Sequence, residues 1–355
     1  MQRGSFDILS PGLAAEAVEE AYGLRLDGSV QVYPSYVNRV YGLKDEEGRH
    51  FVAKFYRPGR WSREAVLDEH RFLADCLEAD LPVAVPLPND EGETLSELLL
   101  EEEGGAAPGA AGLPGAGAAD SGLPFFFALF PRSGGRNFDP ETDEDWLRLG
   151  ALAGRLHAVG RRRPAPARLR LGPELAAARL EELLGLEAEE GGGGSIVHPE
   201  FAAEFEELAR EALAAAALRF EGSTVQRVHG DLHRGNILDR PGTGLVLLDF
   251  DDMAMGPPAQ DLWLLLPGRA ADCGRELALL EEGYSEFSSL DPWVFGLFEP
   301  LRLHRMLHFL VWRARQRGDH WFRREFPDWG GRAFWMKETE DLRDELEVLR
   351  DGARL

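Results

Sequence analysis

Three polar residues in the second half of the chain have the types and spacing to act together. Asp231 lies in His229-Gly230-Asp231-Leu232-His233-Arg234-Gly235-Asn236; Asn236 follows five positions on, and Asp249 thirteen further, opening Asp249-Phe250-Asp251-Asp252. A carboxylate can orient a hydroxyl and accept its proton. An amide and a second carboxylate are hard oxygen donors of the kind that hold Mg²⁺ against phosphates. Proton acceptor plus metal ligands is the set that phosphoryl transfer needs. Asp and Asn are common in surface turns, but three in register, flanked by two apolar strand-like runs, point to a site.

The same Asp-to-Asn spacing, followed by Asp-Phe-Gly, occurs in the protein-kinase catalytic loop. Here Gly230 stands where Arg is usual and Asp251 where the last Gly would be. His229 is read as bracing the turn by hydrogen bonding, and His233, the more exposed of the two, is also assigned a structural role. A cation over nucleotide phosphates is supplied by Lys54 in Val52-Ala53-Lys54-Phe55-Tyr56, which matches the Val-Ala-Ile-Lys strand. Glu69, in mid-helix, is the carboxylate chosen to hold that ammonium, with Asp68 a quarter-turn away as the alternative. No Gly-x-Gly-x-x-Gly precedes Lys54; Ser35, in Tyr33-Pro34-Ser35-Tyr36, could offer its N–H and hydroxyl to a phosphate.

The elements that must position these residues divide in character. A helix at about Pro11–Tyr22 is followed by strand-like runs at Ser29–Tyr33, Val37–Leu43 and His50–Tyr56, then by a helix over Ser62–Leu77 with Ser62 as N-cap. Further strands are expected at Val83–Pro86, near Thr94 and at Phe125–Phe130. From Glu144 the period is mainly helical, with strand-like Thr224–Val228 and Gly244–Leu248 among the helices. This is an α+β plan with two lobes, β-rich over residues 1–131 and helical over 132–355, forming one kinase-like domain. Residues at about 101–122 and Gly191–Ser195 are too rich in Gly, Ala and Pro to build a core and read as a mobile insertion and a flexible link.

The chain has 355 residues, with 39 basic against 62 acidic and a net charge of -23. Such a surface repels nucleic acid and anionic membranes, and any bound phosphate needs a local positive site. Two distant cysteines, Cys76 and Cys273, exclude a disulfide framework or a thiolate zinc site. No signal peptide or membrane span is expected, which suits the cytoplasm. Arg161-Arg162-Arg163 with Arg168 and Arg170 reads as a solvated patch beyond a helix end, and Trp312, Trp321, Trp329 and Trp335 as packing.

Ser35-Tyr36-Val37-Asn38-Arg39-Val40-Tyr41, Phe55-Tyr56-Arg57-Pro58-Gly59-Arg60-Trp61, Glu69-His70, Pro82-Val83-Ala84 and Gln260-Asp261-Leu262-Trp263 resemble the stress response kinase A family. That family belongs to the aminoglycoside-phosphotransferase-like branch of the protein-kinase fold. The likeness runs from about Phe6 to the last helix and fails in the two Gly-rich segments. The His-Gly-Asp motif marks the whole branch, whereas Phe55–Trp61 is narrower. The resemblance implies an ATP-dependent serine/threonine protein kinase acting in stress survival. By position Asp231 is the catalytic acceptor, Asn236 and Asp249 are Mg²⁺ ligands and Ser35 contacts ATP. Asp261 would brace the catalytic loop. Leu232 replaces a cysteine often found in the family. ATP and a protein hydroxyl, the chain's own included, are the expected partners of a monomer. Two alternatives stay open: a kinase of aminoglycoside, choline-like or sugar hydroxyls, and a nucleotide-binding scaffold without turnover.

Overall fold

A computed structural model of the chain describes residues 8–33, 35, 37–101, 122–188 and 194–351. They form two compact units. One comprises Met1–His70, Val85–Ser133 and Asp319–Trp321, the other Arg71–Ala84, Gly134–Gly318 and Phe322–Leu355. Most of the expected insertion and link lies outside the described residues.

In the first unit α1 (Pro11–Tyr22) starts where the Leu13 N–H donates to the Ser10 hydroxyl at 3.2 Å, and stops at Gly23, whose φ of 58° L side chains rarely adopt. An antiparallel sheet follows, built from β1 (Leu26–Tyr33), β2 (Arg39–Asp45), β3 (His50–Phe55), β4 (Ser96–Glu101) and β5 (Gly122–Pro131) in the order β1-β2-β3-β5-β4. Strand alternation assigns the two faces. Phe51, Ala53 and Phe55 join Tyr41, Leu43, Phe127 and Leu129 against Ala14, Val18 and Tyr22 of α1. Phe55 stacks on Phe127 at 4.8 Å. Lys54, on the opposite face of β3, therefore looks toward α2 (Arg63–Glu78), where Tyr56, Val66, Leu95 and Ala128 make a second small core. The Ala65 N–H donates to Ser62 Oγ at 3.2 Å, so Ser62 caps that helix as expected. Val83 makes only a single parallel bridge, to Leu247, so the strand expected at Val83–Pro86 does not form.

The second unit is mainly helical. α3 (Asp143–Gly160) opens with a Thr142–Asp145 capping box and crosses α7 (Gly274–Ser285). The crossing is close because it is lined with glycine: a Cβ on Gly150 would lie 2.2 Å from Leu280 O, and one on Gly283 2.1 Å from Leu147 O. α4 (Pro173–Gly185), α5 (Ala202–Ala217), α8 (Phe298–Gln316) and α10 (Arg332–Asp351) share a core around Leu180, Phe205, Leu307, Trp335 and Leu346. α6 (Ala259–Leu265) and α9 (His320–Glu325) are short.

Two small sheets carry the polar loops. β6 (Arg136–Asn137), β8 (Ile237–Arg240) and β9 (Gly244–Leu247) form one; β7 (Gln226–Val228) and β10 (Ala254–Gly256) pair as the other. The loop from β7 to β8 holds Asp231 and Asn236, and the loop from β9 to β10 holds Asp249. The chain is thus α+β, with the sheet-rich part first.

Candidate active site

The β7–β8 loop is held from beneath by Asp261, which is fully buried on α6. Its carboxylate accepts the N–H groups of His229 and Gly230, each at 2.8 Å, and meets His157 Nε2 at 2.9 Å. The Gly230 carbonyl accepts from Gln260 Nε2 at 2.8 Å. Gly230 has a φ of 84°, and a Cβ there would lie 2.0 Å from Asp252 O, so only glycine fits between the two loops. His229 accepts the Asp231 N–H on Nδ1 at 3.3 Å, which makes Nε2 the protonated nitrogen that donates to Leu248 O at 2.8 Å. The ring ties the two loops together, the bracing role expected of it.

This framework presents the Asp231 carboxyl. Oδ1 accepts from Arg305 Nη2 at 2.7 Å, and Oδ2 lies 3.5 Å from His233 Nε2. Burial alone would raise its pKa. The His233 bond and the Arg305 charge outweigh burial and bring it down to about 2. Asp231 is therefore ionised over the whole neutral range. Asn236 donates its Nδ2 to Asp231 O at 2.9 Å, which turns its amide oxygen away from that contact and leaves it as a ligand atom. The Leu248 N–H donates to Asn236 O at 2.9 Å, binding the chain just before Asp249 to the chain at Asn236. Asp249 is exposed and has a φ of 57°, a left-handed conformation that Asp, like Asp80 at the same φ, adopts in turns. Phe250 fixes that turn by packing edge-on against Phe72 at 5.5 Å.

The donor set fits Mg²⁺. It consists of one amide oxygen and one carboxylate, both hard oxygen donors, and a metal so held completes its shell with phosphate and water oxygens. Among the described residues no cluster of three or more His, Cys, Asp or Glu is placed to hold a metal.

In the first unit the Lys54 ammonium is 3.5 Å from Glu69 Oε1 and 4.9 Å above the Tyr56 ring. Tyr56 Oη also reaches Glu69 Oε1, at 3.4 Å, and His70 Nε2, at 3.1 Å. Lys54 and Glu69 are thus brought together, both nearly buried. The Ser35 hydroxyl accepts the Asn38 N–H at 3.3 Å, and its carbonyl accepts from Arg39. Arg57, from the narrow Phe55–Trp61 stretch, donates to Val37 O at 3.1 Å and to Asp319 Oδ2 at 2.9 Å. Asp319 is also 3.7 Å from Arg39. That stretch thus anchors Val37 and Asn38, the latter also through the Arg57 N–H to Asn38 Oδ1 at 3.1 Å.

Sequence reasoning missed Arg305, His157 and Asp319. Each acts on a residue far along the chain, and none stands in a local motif. The basic run needs correction. Arg168 is buried and donates to Phe250 O at 3.4 Å, and Arg163 pairs with Asp75 at 2.8 Å, so the run is partly structural rather than a solvated patch.

A kinase-like loop followed by an exposed carboxylate, carried on an α+β chain, is the arrangement of a phosphotransferase. Residues 29–293 match the phosphotransferase enzyme family, and the chain belongs to it. It is 34% identical over 348 residues, 98% of this chain and 95% of the relative, to stress response kinase A of Escherichia coli (strain K12). Over 349 residues, with the same two coverages, it is 33% identical to the serine/threonine protein kinase RdoA of Salmonella typhimurium (strain LT2). Among solved structures an amicoumacin kinase aligns with a TM-score of 0.66 at 16% identity, covering 95% of this chain and 94% of its own. A spectinomycin phosphotransferase aligns at 0.63 and 12% identity, covering 98% and 100%. These two share the fold. No helix among the described residues is long and apolar enough to cross a membrane.

Proposed function

We propose that the chain is an ATP- and Mg²⁺-dependent serine/threonine protein kinase acting in a bacterial stress response. The observation that carries this reading is identity of 33–34% along 98% of the chain with kinases so named. Likeness to small-molecule phosphotransferases is confined to the fold, at 12–16% identity.

In this reading Asp231, ionised and oriented by Arg305 and His233, accepts the hydroxyl proton of the acceptor. Asn236 and Asp249 would hold Mg²⁺, which when bound neutralises charge on the nucleotide phosphates. Lys54, steadied by Glu69, would bind phosphate oxygens, and Ser35 would contact ATP through the turn that Arg57 anchors at Val37 and Asn38.

The test is transfer of label from γ-labelled ATP, with and without Mg²⁺, to the protein itself, to a generic protein acceptor and to a panel of alcohols. Protein phosphorylation that falls at least ~100-fold in Asp231→Asn is expected, since a positioned base contributes about that much. Transfer confined to small alcohols, or undiminished in the variant, overturns the reading.

A further inference from the structure

The second unit holds a cavity of about 230 Å³ beside the catalytic carboxylate. Trp263 of α6, Arg302, Arg305, Phe309 and Arg313 of α8, and Glu338 of α10 line it. The four α8 residues are spaced three, four and four apart, which puts them on one face of the helix. Arg305 belongs to both places: it lines the cavity and holds Asp231 at 2.7 Å.

Each guanidinium lies against a ring. Arg302 is 4.6 Å from the Trp263 centroid, Arg305 is 4.5 Å from Phe309, and Arg313 is 5.8 Å from Phe309 and 4.9 Å from Phe326. A guanidinium stacked this way keeps its in-plane N–H donors for a planar anion. Few of those donors are used within the protein. Arg302 gives Nε to Glu299 at 2.9 Å, and Arg305 gives one nitrogen to Asp231. Arg313 makes no hydrogen bond or ion pair among the described residues, and its Nε is buried without an acceptor. The Trp263 indole N–H, on a side chain only 7% exposed, also meets no acceptor. Against these stands Glu338, the single carboxylate among the lining residues, whose pKa burial raises and Arg313 opposes. Glu299 on Arg302, Asp231 on Arg305 and Glu338 facing Arg313 balance the three charges, so what the cavity offers an incoming anion is guanidinium and indole N–H donors that meet no acceptor rather than net charge. A cationic group entering here would find no acceptor on these arginines.

We propose that this cavity is an acceptor subsite for a peptide carrying a carboxylate side chain next to the serine or threonine that is phosphorylated. The proposal rests on the protein-kinase reading and narrows it to acidic sequences. Arg313 and Arg302 bind the flanking carboxylate, and Trp263 offers a further donor.

Serine peptides of one length, flanked by Asp and Glu, by Ala, or by Lys, test it with Mg²⁺ and ATP. The acidic peptide is expected to exceed the Lys peptide in kcat/KM by at least about tenfold, as charge-assisted pairs permit. In Arg313→Gln the ratio narrows through KM, and in Arg313→Glu it inverts. Arg302→Gln gives an independent narrowing should an Arg313 variant not fold. Equal use of acidic and Lys peptides by the wild type, or a ratio unchanged in Arg313→Glu and Arg302→Gln, overturns the subsite and leaves the protein-kinase reading intact. Turnover of small alcohols with no peptide phosphorylated overturns both.

Discussion

Arg305→Met should raise the pKa of Asp231 and cost stability near neutrality. Methionine keeps the apolar packing on Phe309 while removing the guanidinium. Asp231 stands at about 2 against an ordinary 3.8, a net lowering of 3.8 − 2 ≈ 1.8 units achieved despite burial. At ~1.4 kcal/mol per pH unit this is roughly 2.5 kcal/mol, to be trimmed because the side chain is 20% exposed. His233 carries the larger part of the lowering and stays in the variant, so removing Arg305 is expected to raise the Asp231 pKa and to cost about 1 kcal/mol, under half of that total. The sign follows from linkage. A depressed carboxyl pKa contributes stability that is full above 3.8 and is lost as pH falls through about 2. The variant should therefore be less stable than wild type at about pH 7, with the gap closing toward about pH 2–3. Carboxyl-carbon NMR titration reads the pKa, with Asp231→Asn assigning the signal, and urea unfolding at several pH values reads the stability. If Asp231 titrates at the wild-type position in Arg305→Met, the reasoning fails, and the His233 bond alone sets the charge.

Two other substitutions probe the frame around this carboxylate. Gly230→Ala places a Cβ against Asp252 O at a φ of 84°, so a loss of roughly 2–4 kcal/mol by urea unfolding is expected, together with reduced transfer; wild-type values for both would show that the loop yields freely. Glu345 is buried against Arg269 at 2.8 Å, and burial, aided by the Glu299 charge, raises its pKa from 4.5 to about 7. Its stabilising contribution is full below 4.5 and is lost as pH rises through about 7, because the folded state binds the extra proton in that window. Glu345→Gln, which fixes the neutral form, should gain about 1–3 kcal/mol over wild type near pH 8 and little near pH 4; a thermal midpoint that follows pH as the wild type does would refute this.

What the sequence disclosed follows the range of the interactions involved. Asp231, Asn236 and Asp249 stood out as candidates because they lie within twenty residues on two loops, which the Leu248 N–H ties together at Asn236 O. The long helices and the first three strands declared themselves by period. β8 and β10 have four and three residues, too few for alternation to register. Arg305 acts across 74 residues, and His157 across 104. Their partners are chosen by helix packing, which no local pattern encodes. Arg168 was misread for the same reason: a basic run past a helix end looks solvated until the chain folds back and buries one member beside Phe250.

Those long-range ties explain why the loop can be polar throughout and still hold one shape. The N–H groups of His229, Gly230 and Asp231, both nitrogens of the His229 ring and Nδ2 of Asn236 are all committed to partners inside the second unit. A loop whose donors were left to water would sample many conformations, and ordering it at each turnover would cost about 1–2 kcal/mol per residue. Here that ordering is complete before any substrate arrives. Among the groups left to act are lone pairs of the Asp231 carboxyl and the amide oxygen of Asn236. A carboxyl and an amide oxygen presented in this way suit a metal ion and a hydroxyl proton, and have little to offer an oxyanion. In the proposed reaction the positive charge a phosphate requires would then have to come from elsewhere, such as a metal ion bound by these oxygens.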